Sequence, residues 1–428
     1  MATSAELHAR RMAAVPRGIG NVTAIYPKRA KNAEIWSEDG QRFIDFGAGI
    51  AVVNTGHQHP RIVQAVKDQL EAFSHVCFQV TPHENYVSLC ERLNAIAPVH
   101  GPAKTMLAST GAEAVENAVK VARAFTKRPG IISFSGGFHG RTHMGMALTG
   151  KAVPYKKDFG PFPSDIYNVP FPNTHHGVTG EQSLEGLKGL FKYVADPSSI
   201  AGIIIEPVQG EGGFNIAPFD FLQALRKLCD EHGILLIGDE IQTGFARTGR
   251  MFALEHAGVK ADVVTLAKGL AGGFPVSAIT GRADVMDASA PGGLGGTYAG
   301  NPVACAAAHA VLDIIKDEDL ISRANAIGKI IIDRCTAIQQ HSNLNCIGDV
   351  RGLGAMCAIE LEMNGAPAPA VTSALLRAAN QRGLILLSCG IYGNVIRFLP
   401  PLTASDEIVR EGMDLFEASL AEAVSQTG

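Results

Sequence analysis

The sequence predicts an α/β protein with a large domain, built on a mainly parallel sheet flanked by helices, and a smaller α+β domain. Three observations carry this. Short, near-continuous apolar runs at Ile131–Phe134, Ala201–Ile205, Ile234–Ile237 and Val263–Leu266 recur through the middle of the chain, as expected of parallel strands covered on both faces. Helical spacing separates them, as in Phe221, Leu222, Leu225 and Leu228, which share one helix face. After the charged turn Lys316–Asp319 the alternation stops and a different pattern begins. Strand, crossover helix and strand in repetition build an open sheet.

Taken in order, Glu34–Trp36 and Arg42–Phe46 read as two strands of a hairpin. Val115, Ala118, Val119, Ala122 and Phe125 form the apolar stripe of a helix that begins after Ser109–Thr110. Ala299 to Ile315 is alanine-rich, but Asn301, Pro302, His309 and Asp313 interrupt it. It suits a closely packed interior helix and not a membrane span. A long helix is expected from Leu320 to about Gln340. The stretch Gly348–Gly354 then leads into a strand at Ala355–Leu361, and Leu384–Ser388 supplies another. These patterns divide the chain into a large domain at 50–325 and a small one made of 1–49 with 326–428.

At 428 residues, 46% of them hydrophobic and 18% charged, the chain is long enough for large buried cores. Lys plus Arg number 37 against 41 Asp plus Glu, a net charge of −4. That provides no basic field for a phosphate backbone, so nucleic acid is excluded as a main partner. The eight cysteines are scattered, with no Cys-x-x-Cys pair, and read as reduced thiols of a cytoplasmic protein. Arg10-Arg11 is followed by Pro16, Arg17 and glycines instead of an apolar run, so no export signal is expected there.

Three local features bear on chemistry. Ser109-Thr110-Gly111-Ala112-Glu113 opens a helix with small residues, which suits a phosphate at free N–H groups or equally an ordinary cap. Asp239 sits where the apolar run Ile234–Ile237 ends, the edge at which open α/β sheets bind ligands. It is either the partner of a cationic ring nitrogen or a solvated loop acid. Lys268 follows the next strand and precedes Gly269 and Gly272-Gly273. It is a surface lysine, or a desolvated amine with a lowered pKa that can act as a nucleophile. A phosphate cradle, a ring-nitrogen carboxylate and a strand-end lysine, in that chain order, are together the parts needed to hold pyridoxal phosphate (PLP).

On these residues, and on Ser109–Glu116, Ile205–Gly213, Asp239–Gly244 and Gly292–Pro302, the sequence resembles the class III (ω-amino acid) aminotransferases of PLP fold type I, over essentially the whole chain. The likeness is to their 4-aminobutyrate branch. It implies that Lys268 bonds covalently to the cofactor and later shuttles a proton, and that Asp239 keeps the pyridine nitrogen protonated. It also implies that Gln242 contacts the ring's phenolic oxygen, that Ile241 and Phe138 lie against the ring, and that Gly111 and Ala112 hold the phosphate. Thr297 would reach the phosphate from a neighbouring subunit, so a homodimer or a dimer of dimers with shared sites is expected. The family often has tyrosine where this chain has Phe138, which keeps the aromatic face and loses a hydroxyl.

By the same resemblance Arg141 grips the substrate carboxylate far from the reacting amine, through the bidentate geometry of guanidinium. Arg397 binds the α-carboxylate of glutamate or 2-oxoglutarate. Glu211 pairs with Arg397 when the substrate has no α-carboxylate, since an unpaired buried charge is costly. Ile50, Gln79 and Glu206 complete the substrate residues, and Ile50 stands where ornithine enzymes typically have tyrosine. The implied reaction moves the amine of 4-aminobutyrate to 2-oxoglutarate. 5-Aminovalerate or acetylornithine transamination, or a catalytically silent binding protein, are the alternatives.

Other signals are weaker. Gly145–Lys151 fits most of a nucleotide P-loop, but Ala152 stands where a Ser or Thr must ligate magnesium. His57-Gln58-His59 and His139/His143 lack acidic or cysteine partners at usable spacing, and His83-Glu84 lacks a second histidine four residues on. No metal is expected.

Overall fold

The computed structural model describes residues 2–340 and 344–427. Near the N-terminus, β1 (Pro27–Lys31), β2 (Glu34–Ser37) and β3 (Arg42–Asp45) form an antiparallel meander, with Phe43 and Ile44 turned into the core.

Seven strands then form the central sheet: β4 (Ala103–Ala108), β5 (Gly130–Phe134), β6 (Ile166–Val169), β7 (Ile200–Ile205), β8 (Leu235–Asp239), β9 (Val263–Leu266) and β10 (Ser277–Arg282). Their order is β4-β10-β9-β8-β7-β5-β6. Neighbours from β9 through β6 pair in parallel. Only β10 runs against its neighbours. Every residue of β7 is buried, because helices cover both faces, and each fully buried isoleucine contributes roughly 1.5–3 kcal/mol. One covering helix, Gly111–Thr126, packs Val115, Ala118, Val119 and Ala122 inward. Phe125, expected in that stripe, is instead exposed in the last turn, with the Arg282 guanidinium 5.6 Å from its ring centre.

The alanine-rich segment forms the helix Pro302–Asp317, capped by Asn301, with eleven of its residues buried. Among the described residues no helix is long and apolar enough to cross a membrane. The helix Leu320–Gln339 follows, then β11 (Ile347–Leu353), β12 (Met356–Met363), β13 (Ala366–Pro367), β14 (Leu384–Ile385), β15 (Leu387–Cys389) and β16 (Val395–Phe398). The glycine-rich stretch before Ala355 is thus itself a strand, paired along β12. The run Leu384–Ser388 is not one strand. Leu384 and Ile385 pair in parallel with Ile44 and Asp45 of β3, whereas Leu387–Cys389 pairs antiparallel with β16. Both sheets bury apolar side chains, so the run has no break in hydrophobicity to mark the change of partner.

Arg247 ties these parts together. Its side chain is wholly buried and donates only to neutral acceptors: the carbonyls of Ala355 at 3.1 Å and Pro400 at 2.8 Å, and Asn54 Oδ1 at 2.7 Å. Burial pushes the guanidinium down to about 9. We predict that Arg247→Met, similar in volume but without donors, destabilises the protein by about 3 kcal/mol by orphaning these acceptors, read as a lower melting temperature. An unchanged or higher melting temperature would mean that desolvation of the charge offsets the bonds it makes.

Candidate active site

The C-terminal ends of the parallel strands converge on one cavity of about 500 Å³. This is where an open α/β sheet leaves unpaired backbone and space for a ligand. β4 leads into Ser109–Ala112, β5 into Phe138–Arg141, β7 into Glu206 and Glu211, β8 ends at Asp239 with Ile241 and Gln242 beyond, and β9 delivers Lys268. All of these line the cavity.

At its floor, the Asp239 carboxylate is buried and fully engaged. Oδ2 meets His139 Nδ1 at 2.7 Å, while Oδ1 accepts from the Thr265 hydroxyl at 3.0 Å and the Ile241 N–H at 3.2 Å. Burial disfavours the imidazolium of His139, but its bond to Asp239 outweighs that and raises its pKa. Glu206 is buried beside them and accepts the N–H groups of Phe138 at 2.8 Å and Gly210 at 3.0 Å. Burial lifts its pKa to about 7, opposed by His139 and helped by the Asp239 charge. The Glu206 carboxylate therefore fixes the backbone of two cavity loops.

At the cavity wall, Thr110 caps the helix Gly111–Thr126 through a capping box with Glu113. Glu113 also accepts the N–H groups of Ser109 and Thr110. The first amides of the helix, those of Gly111 and Ala112, lie at the cavity lining, where helix geometry leaves N–H groups without an intrahelical partner. A Cβ on Gly111 would come within 3.0 Å of the Ile241 side chain, so glycine keeps this cradle open. Lys268, half-buried, takes a left-handed φ of +45°, an unfavourable conformation for a side-chain-bearing residue. Desolvation lowers its amine to about 8, assisted by Arg397 and opposed by Glu211.

Arg397 reaches the site from β16 in another sheet. It is 5% exposed, and its Nη1 donates to Glu211 Oε1 at 2.6 Å. Burial raises the Glu211 carboxyl, but the Arg397 charge and hydrogen bond prevail and lower it. Arg141 is exposed at the cavity mouth, its guanidinium 5.8 Å from the Phe138 ring centre and 4.8 Å from that of Tyr155.

Ile50, Gln79 and Thr297 are not in this cavity. Ile50 is 41% exposed in a left-handed turn spanning Ala48–Ala51, and Val52 lines the cavity in its place. Gln79 and Thr297 are exposed, and Gln79 Nε2 donates to the Leu294 carbonyl at 3.2 Å. His139 and Tyr155 had no distinguishing signal in the sequence: the first lacked metal partners at usable spacing, and the second lies in an irregular loop. Of the other histidines named above, His57 meets Asp45 at 2.8 Å and His59 meets Glu318 at 3.0 Å. Outside the cavity, His175, His176 and Glu360 lie within 4.8 Å of one another. There Glu360 already faces the Arg351 guanidinium at 2.8 Å, which opposes a second cation.

The donor set can be tested against PLP. Among the described residues, the buried side-chain atoms without a hydrogen-bond partner include Gln242 Oε1 and Arg397 Nε. A ring hydroxyl would satisfy the first and a substrate carboxylate the second. With the open amides of Gly111 and Ala112, the carboxylate at the end of β8 and the desolvated amine of Lys268, the residues fit the group. Fold and site together define a PLP-dependent transferase. The chain belongs to the class III aminotransferases, whose family model, "Aminotransferase class-III", matches residues 14–420. It is 50% identical to the 5-aminovalerate aminotransferase DavT of Pseudomonas putida, over 98% of this chain and 99% of that protein. It is also 50% identical to the 4-aminobutyrate aminotransferase GabT of Escherichia coli, over 99% of this chain and all of that one. Among solved structures it is similar to the ornithine aminotransferase of Toxoplasma gondii (TM-score 0.88, 30% identity, 99% and 96% of the two chains). A transaminase from the marine bacterium Virgibacillus superposes with a TM-score of 0.92 (27% identity, 99% and 100%).

The Lys268 environment predicts its reactivity. In cofactor-free protein, acylation by a small amine-reactive ester, followed by peptide mass spectrometry, should rise with pH around a midpoint near 8, as the neutral amine appears. A midpoint above about 10, the ordinary lysine value, would show that the amine keeps its hydration.

Proposed function

We propose that this enzyme transfers the amine of 4-aminobutyrate to 2-oxoglutarate, giving succinate semialdehyde and glutamate. The observation that carries this reading is the Arg397–Glu211 pair at 2.6 Å beside a cavity that Arg141 also lines. An ω-amino monocarboxylate has one carboxylate for two arginines. Arg141 takes it, and Glu211 keeps Arg397 neutralised inside the protein. A dicarboxylate such as glutamate needs both arginines and displaces Glu211.

PLP, when bound, supplies an aldehyde that takes up the amine and a ring that withdraws electrons from the bond being broken. In our reading Gly111 and Ala112 hold its phosphate, with Thr297 of a partner subunit, and Asp239 holds its ring nitrogen. Phe138 and Ile241 flank the ring, and Gln242 meets its phenolic oxygen. Lys268 would carry the cofactor covalently and, once the substrate amine has displaced it, its freed Nζ would accept and return the proton at the substrate carbon. Glu206 positions the Phe138 and Gly210 backbone beside the substrate. Ile50 and Gln79 complete the substrate residues of this reading.

We also propose a homo-oligomer, since Val80 and Tyr298, 79% and 68% exposed, flank Gln79 and Thr297 in the sequence. Sedimentation should show at least a dimer; a monomer at working concentration would remove the shared site. The domain division at 50–325 and 1–49 with 326–428, whose outermost residues Met1 and Gly428 lie outside the described ones, and a cytoplasmic location, in keeping with eight free cysteines, belong to the same proposal.

The relatives named for 4-aminobutyrate and 5-aminovalerate are equally similar, and one methylene is worth only about 1–3 kcal/mol of discrimination. Mixing holoenzyme with 4-aminobutyrate, 5-aminovalerate, ornithine or N-acetylornithine, and following the visible absorbance of the bound cofactor, separates these donors. We expect 4-aminobutyrate to bleach fastest, 2-oxoglutarate to restore the colour, and 5-aminovalerate to follow within about a hundredfold. Faster bleaching by 5-aminovalerate would reassign the donor, and bleaching by N-acetylornithine alone would overturn the reading.

A further inference from the structure

The two oxygens of Glu211 have different partners. Oε1 accepts from Arg397 Nη1 at 2.6 Å, and Oε2 accepts from the Tyr155 hydroxyl at 3.2 Å. Tyr155 is 9% exposed and the Glu211 side chain 22%, so this hydrogen bond to a charged acceptor is partly screened from bulk water and stronger than an exposed one. Burial beside the Glu211 charge pushes the phenol up to about 12, which keeps it a donor. The other side of Tyr155 faces the second arginine. Its ring centre is 4.8 Å from the Arg141 guanidinium and 5.0 Å from the Phe138 ring, which it meets edge-on. One side chain therefore touches both the internal counter-ion of Arg397 and the arginine at the cavity mouth.

Resting on the reading of Glu211 as the exchangeable partner of Arg397, we propose that Tyr155 is a positioning residue that sets the balance between dicarboxylate and monocarboxylate substrates. Its hydroxyl holds Glu211 on Arg397, while its ring supports Arg141. A dicarboxylate must break both bonds of Glu211 before it reaches Arg397. A monocarboxylate leaves both intact. Removing the hydroxyl alone lowers the barrier to the first ligand and leaves the second unaffected, because phenylalanine keeps the ring under Arg141.

The test is calorimetric titration of the holoenzyme and of its Tyr155→Phe, Glu211→Ser and double variants with two unreactive probes, glutarate and butyrate. Tyr155→Phe should tighten glutarate by about tenfold, the lower end for a hydrogen bond to a charged group, and change butyrate by less than about twofold. The KM for glutamate should fall in parallel while that for 4-aminobutyrate holds. Glu211→Ser should also favour glutarate, and adding Tyr155→Phe to it should change nothing more, since the hydroxyl acts through the carboxylate. A shift in Glu211→Ser but not in Tyr155→Phe overturns the role of Tyr155 and leaves the Glu211 switch standing. No shift in either variant removes the switch itself. Equal changes for both probes reduce Tyr155 to packing, and additive effects in the double variant show that it does not work through Glu211.

Discussion

His139 and Asp239 are a hundred residues apart in the chain and 2.7 Å apart in space, and both side chains are shut away from water. A buried carboxylate is costly without partners, and His139 is its partner at the end of β8. That one contact joins the loop after β5 to the end of β8. The surrounding bonds extend it: Thr265 on the adjacent β9 braces the second oxygen, and Glu206 after β7 holds the amide of Phe138, the residue next to His139. Four strand ends are thereby locked in register around one cavity. The positions of Lys268 and Phe138 depend on this lock.

The site combines two electrostatic designs. The floor is rigid, with its carboxylates spent on histidine, hydroxyl and backbone donors, so little reorganisation accompanies a charge change above it. In the proposed function the wall facing the substrate is exchangeable. Glu211 has one oxygen on Arg397 and the other on Tyr155, each a single side-chain bond. A floor that stays and a counter-ion that leaves are what an enzyme needs when two substrates of different charge must use one cavity in turn.

The fold supports that division of labour. The central sheet supplies the floor, whereas Arg397 comes from β16, in a sheet built after residue 346. Arg247 links the two regions through three neutral acceptors. The pairing of β14 with β3 brings the N-terminal hairpin to the same end of the chain. Arg397 is thus supplied by an element that the chain makes late, held against a floor that it makes earlier.

The α/β class, the parallel core strands and the strand-end residues Asp239 and Lys268 were legible in the sequence, because local periodicity and strand boundaries are encoded by neighbouring residues. The capped start of the helix Gly111–Thr126 was legible too, as a cap followed by small residues. Tertiary structure alone decided the partners. Nothing local marks His139 as the residue that satisfies Asp239, or Tyr155 as the second ligand of Glu211, since each contact closes a loop of tens of residues. The same reason explains the split of Leu384–Ser388 between two sheets and the exposure of Phe125 under Arg282. Ile50, Gln79 and Thr297 lie outside the cavity of their own chain for a related reason. A sequence states which residues are present, and distance in space, set by the packing of the whole, states which of them can meet.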